Sequence, residues 1–198
     1  MLDRSEHYLT LEEEQTLLRI ARDALEAWVR DRRRIEVTQY PLTERLQEKH
    51  GAFVTLRKGR DLRGCIGYTA NRESLAETVR DNAINAASND FRFPPVTEDE
   101  LPYLIVEVSA LTPGDAPDTP FKRVRDISEI VIGRDGLYIE MPPSRGGLLL
   151  PQVAVEQGWD VNQFLSAVCR KAGYPDRTWE NPSARLYRFS AQVFSEPE

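Results

Sequence analysis

Cysteine and histidine are scarce in this chain, and their scarcity removes whole classes of chemistry. Cys65 and Cys169 are the only cysteines in 198 residues. Two thiols are too few for a disulfide framework, so reduced cysteines in a cytoplasmic setting are the expectation. His7 and His50 are the only histidines, and no cluster of ligands has the spacing of a zinc site. A magnesium site built from dispersed carboxylates stays open. No run of about 18 apolar residues occurs, which excludes a membrane-spanning helix. The charged start, Met1-Leu2-Asp3-Arg4-Ser5-Glu6, lacks the apolar core of a signal peptide. Basic excess is missing too: the formal net charge of −6 argues against a nucleic-acid binder. The run Arg30-Asp31-Arg32-Arg33-Arg34 reads as the solvated end of a helix, with a partner-binding patch as the alternative.

What is present suits a soluble globular domain, with 40% hydrophobic and 29% charged residues. Thr10-Leu11-Glu12-Glu13 opens a long helix as a capping box, and Leu17, Ala21, Ala24, Leu25 and Trp28 recur on one face. Residues 41–50 read as a shorter helix closed by Gly51, with His50 as a partner of its C-terminal dipole. Strands over 53–57 and 62–68 flank a loop of Lys58-Gly59-Arg60-Asp61. A helix over 73–88 is broken by Asp90-Phe91-Arg92-Phe93-Pro94-Pro95. A capping-box turn over 97–101 leads into a strand over 104–111.

Residues 112–120 are a proline-rich loop, and 121–128 take no assignment. A second hairpin is expected from 130–132 and 137–140 around Gly133-Arg134-Asp135-Gly136. A helix over 150–157 follows, then one capped by Asp160 and ended by Gly173. The last strand, 186–194, places Tyr187, Phe189, Ala191 and Val193 on one side. Each half thus runs hairpin, helix, single strand. That order predicts an α+β fold: duplicated units in a curved, mostly antiparallel sheet with helices packed outside.

The candidate chemistry centres on Leu62-Arg63-Gly64-Cys65-Ile66-Gly67. Glycines inside a strand mark a bulge or a close approach of backbone or ligand. Arg63 beside them offers a fork of donors for an anion. Cys65 is a candidate nucleophile or thiol donor, against the reading of a small buried strand residue. Cys169 belongs to the core. Arg92, on a proline-stopped loop, can project toward the cleft of Arg63. Ser144, Arg145 and Gly146, on a loop before a helix, complete the anion-binding set with Gly64 and Gly67; the alternative for that loop is a flexible connection.

Four segments together resemble the AMMECR-one domain family: residues 51–56, residues 62–67, Arg92-Phe93-Pro94-Pro95-Val96 with Leu101-Pro102, and Leu149-Leu150-Pro151-Gln152-Val153-Ala154 with Gln157-Gly158-Trp159-Asp160. The resemblance implies one domain over 1–198, with N-terminal helices over about 10–50 and the sheet and its helices over about 51–198. It implies two unequal lobes and a duplicated, strongly curved antiparallel sheet. It also brings Memo-like and radical SAM proteins as possible partners, and it names no cofactor and no accepted activity. Pro143 stands where the family's loop often has glycine, which stiffens the approach to Ser144.

Two functions are therefore in play. One is an enzyme or enzyme subunit acting on a small anionic or aromatic metabolite, with Arg63, Arg92 and Arg145 orienting it. The other is a non-catalytic ligand- or protein-binding adaptor using the same cleft.

Overall fold

Thr10 sets the start of the first helix. Its hydroxyl accepts from the Glu13 amide while the Glu13 carboxylate accepts from the Thr10 amide. This box begins α1 (Leu11–Asp31), which buries Leu17, Ile20, Ala21, Ala24 and Leu25. The helix ends at Arg32 in the left-handed region, with φ of 54°. The computed structural model describes residues 8–69, 72–116, 119–143 and 146–197. These divide into two units, Met1–Leu111 with Gln192–Glu198, and Thr112–Ala191.

In the larger unit α1 is followed by a single turn, α2 (Glu44–Gln47), and by β1 (Ala52–Lys58), β2 (Asp61–Tyr68), α3 (Leu75–Ser88) and β3 (Leu104–Leu111). Strand β1 pairs antiparallel with β2 on one side and with β3 on the other. Val54, Leu56, Val106, Val108 and the buried faces of α1 and α3 share one core. Removing each such side chain from water contributes roughly 1.5–3 kcal/mol. The hairpin loop is only Gly59-Arg60, because Lys58 and Asp61 are already paired. Its first residue has φ of 61°, where two-residue loops favour glycine.

The helix expected over 41–50 shrinks to the four residues of α2. Thr43 caps the Leu46 amide, which fixes the start, and Glu48 is already extended at the far end. His50 consequently has no helix terminus to complement.

The smaller unit contains β4 (Lys122–Arg123), β5 (Asp135–Glu140), β6 (Gly147–Leu149), α4 (Pro151–Glu156), α5 (Val161–Lys171) and most of β7 (Arg185–Ser195). Strand β5 pairs antiparallel with β6 and β7, and β4 with β7. Asp160 and Gln163 form the capping box of α5, whose Phe164, Leu165, Val168 and Cys169 face Leu137 and Ile139 in a second core. The hydrogen-bonded order is β2-β1-β3 in the larger unit and β6-β5-β7 in the smaller, with β4 also on β7. The fold is α+β, as the order of elements predicts.

The second hairpin lies elsewhere than expected. Residues 130–132 form no strand, because the chain there turns around the buried carboxylate of Asp135. Val131 donates its amide to Asp135 Oδ2 at 2.9 Å, and its carbonyl accepts from the Asp135 amide at 2.9 Å. The hairpin is instead β5 with β6, followed by helices and β7, so the order of the repeat survives. Along the last strand Val193 is exposed, while Leu186, Phe189 and Phe194 are buried.

Candidate functional site

Strand β2 accounts for its own unusual composition. Leu56 pairs with Gly64 but Arg57 pairs with Leu62, so Arg63 is the extra residue of a β-bulge. A bulge bends the strand and re-aims a side chain. Here it turns Arg63 onto Glu100, with Nε to Oε1 and Nη2 to Oε2 both at 2.8 Å. Glu100 Oε2 also accepts from the Thr97 amide at 3.1 Å. One carboxylate thus caps the 3-10 turn Glu98–Tyr103 and clamps the arginine. The Arg63 guanidinium is the main reason the Glu100 carboxyl is lowered to about 2.

The two glycines make room for the protein itself. A Cβ at Gly64 would stand 2.2 Å from the Ala86 carbonyl oxygen on α3, and one at Gly67 would stand 2.2 Å from the Phe53 ring. Close packing of helix and ring against the strand explains both.

Cys65 lies between them, half-buried. The Thr55 hydroxyl, from the cross-strand partner, donates to its Sγ at 3.3 Å. Burial pushes the thiol pKa up, against the opposing influence of Thr55 and the Arg92 charge. The backbone of Cys65 is the more occupied part. Its amide donates to Asp90 Oδ2 at 2.8 Å, and its carbonyl accepts from Arg92 Nη2 at 3.2 Å. Asp90 and Arg92 are joined in turn, Nε to Oδ1 at 2.9 Å and Nη2 to Oδ2 at 2.6 Å. Because β2 ends the strand order, an ion pair here fills the places another strand would take. Arg92 first, then the Cys65 and Arg92 amides, lower the Asp90 carboxyl to about 2, against the cost of burial.

Phe93 sits beside both guanidiniums, 6.0 Å from Arg63 and 5.5 Å from Arg92. The structure therefore gathers Arg63, Gly64, Cys65, Gly67 and Arg92 on one part of the larger unit. It also gives each arginine a carboxylate partner.

The AMMECR1 family model matches residues 18–194, nearly the whole described chain. This chain belongs to the AMMECR1 family. Among its AMMECR1-like relatives, Protein MK0488 of Methanopyrus kandleri is 45% identical over 195 residues, covering 96% of this chain and 91% of the relative. Protein TK0174 of Thermococcus kodakarensis is 46% identical over 185 residues, covering 91% and 88%. The crystal structure of the uncharacterized protein PH0010 from Pyrococcus horikoshii is similar with a TM-score of 0.79 at 39% identity, covering 91% of this chain and 89% of that one.

The remaining candidates of this AMMECR1 chain fare differently. Ser144 and Arg145 lie outside the described residues. Gly146 belongs to the smaller unit, where a Cβ would stand 2.4 Å from the Ile139 carbonyl oxygen. His50 is buried, its ring 5.1 Å from that of Tyr8, and burial lowers its pKa. Cys169 is fully buried in the core of the smaller unit. Among the described residues no group of three or more His, Cys, Asp or Glu side chains could hold a metal ion, and no helix is long and apolar enough to cross a membrane. Sequence reasoning missed Asp90 and Glu100 as the partners of the arginines. Glu100 was visible as a capping residue, but its second role needs the bulge. Asp90 carried a local signal, an aspartate two residues before an arginine at a helix end.

Proposed function

We propose that this protein is a non-catalytic binding module that engages a protein partner through the turn of residues 89–93 beside the edge of β2. One observation supports the reading most: the Cys65 amide and carbonyl are matched by Asp90 and Arg92, and Arg63 and Arg92 are each bound at two points by a carboxylate of the chain itself. An enzyme acting on a small anionic or aromatic metabolite would need Arg63 and Arg92 to leave carboxylates bound in two-point contact. It would also need Cys65 to ionise against its burial. Separating these pairs carries a cost that substrate binding would have to offset.

The turn instead presents Phe91, which is 95% exposed, next to Arg92. Phe91 follows Asp90, whose side chain is held by four donors, so the ring is displayed on an ordered segment. Exposed aromatic and arginine side chains on a rigid base are the residue types that anchor interfaces. The Memo-like and radical SAM proteins that accompany the family are the candidate partners. Titration calorimetry of the purified Memo-like and radical SAM proteins of the same organism against wild type and Phe91→Ala tests this. At least tenfold weaker binding by the variant, with unchanged circular dichroism, is expected for one of them. Equal affinities, or no binding of either by wild type, would overturn it.

A further inference from the structure

The larger unit holds a cavity of about 460 Å³, within the range of small-molecule sites. None of the residues lining it belongs to the arginine–cysteine cluster. Its floor is buried and made of Thr78 and Ile84 on α3, and Trp28 of α1 forms a wall. Its rim is exposed and carries Tyr68, Arg72 and Asn89.

The lining groups are ordered by one another. Asn85 donates through Nδ2 to the Tyr68 hydroxyl at 2.8 Å, and Asn89 donates through Nδ2 to Asn85 Oδ1 at 2.7 Å. That chain fixes both carboxamides and leaves the Asn89 oxygen and one hydrogen on each amide nitrogen to meet a ligand. Arg34 is committed to Asp81 by bonds of 2.9 and 2.8 Å, and Asp81 is also held by Arg80. Arg72 makes no ion pair among the described residues; the one other carboxylate of the lining, Glu73, faces Asp81, whose hydrogen bond pushes the Glu73 carboxyl up.

We propose that this cavity is a binding site for a small planar heteroaromatic anion of the nucleoside monophosphate type. The indole and phenol rings supply flat apolar surface for a base. The two carboxamides match the mixed donors and acceptors of a base edge. Arg72 meets the negative group at the rim, where a guanidinium binds phosphate oxygens in pairs.

Calorimetry with AMP, GMP, CMP and UMP, with adenosine and guanosine, and with inorganic phosphate alone tests the site. At least one nucleotide is expected to bind at or below millimolar concentration. Tyr68→Ala should weaken it at least tenfold. Arg72→Ala should weaken the nucleotide and leave its nucleoside unchanged. Both substitutions are at exposed side chains, so circular dichroism should be unaltered. The site is overturned if no nucleotide binds, if phosphate alone binds as tightly, or if neither variant alters the affinity. Loss of fold in Tyr68→Ala would leave Arg72→Ala to decide.

Discussion

The Asp90 carboxylate holds the Cys65 amide at 2.8 Å while its own partner, Arg92, holds the Cys65 carbonyl at 3.2 Å. A side-chain ion pair thereby completes the backbone bonding of an edge strand. Asp90→Ala would leave a strand amide unmatched and Arg92 without its partner. A loss of about 2–3 kcal/mol is expected, read from urea denaturation. Asp90→Asn keeps one acceptor and should lose less. An opened edge should also raise aggregation on heating, measurable by light scattering. Equal stability in the alanine variant would remove the pair from this role.

Gly64 and Gly59 should respond differently to alanine. At Gly64 the new methyl meets backbone of α3 at 2.2 Å, which neither partner can yield cheaply. Overpacking there should cost about 1–3 kcal/mol or more. At Gly59 nothing lies within 4 Å, and only the φ of 61° opposes a side chain. About 1–2 kcal/mol is expected. A larger loss at Gly59 than at Gly64, by thermal or urea unfolding, would contradict the packing explanation of β2.

Acid should weaken the fold through the same carboxylates. Asp90 and Glu100 are lowered to about 2 from ordinary values of 3.8 and 4.5. The unfolded chain therefore takes up protons first as pH falls. Their stabilisation is complete above about pH 5 and is lost as pH drops through 4 toward 2. Urea midpoints at pH 6, 4 and 3 should fall steadily in wild type and less steeply in Asp90→Asn. Parallel profiles would show that Asp90 titrates alike in both states.

Cys65 should react slowly with iodoacetamide at neutral pH, because burial pushes its thiol up and the thiolate is the reactive form. It should still label ahead of Cys169, which is fully buried. Labelling followed by mass spectrometry checks both rates. Reaction at Cys65 faster than a free cysteine would restore the thiol as a catalytic candidate.

The sequence by itself determined the local structure where one short-range rule acts alone. Thr10 with Glu13, the capping box over 97–101 and the cap Asp160 announced their turns, since a cap needs residues only two or three apart. The apolar spacing of α1 and α5, and β3 at its full length, were legible for the same reason. The order of hairpin, helix and strand in both halves gave the fold class.

Tertiary structure decided what depends on distant partners. The buried carboxylate of Asp135 folded residues 130–132 into a turn despite their strand-forming side chains. Arg63 and Arg92 looked available because a sequence shows charge and not its neighbour; Glu100 lies 37 residues from Arg63, brought to it by the bulge. Gly64 looked like a ligand approach until Ala86 of α3 was found against it. The cavity beside Trp28, Tyr68 and Asn85 had no sequence signature, since its walls come from α1, β2 and α3 and meet only when those elements pack.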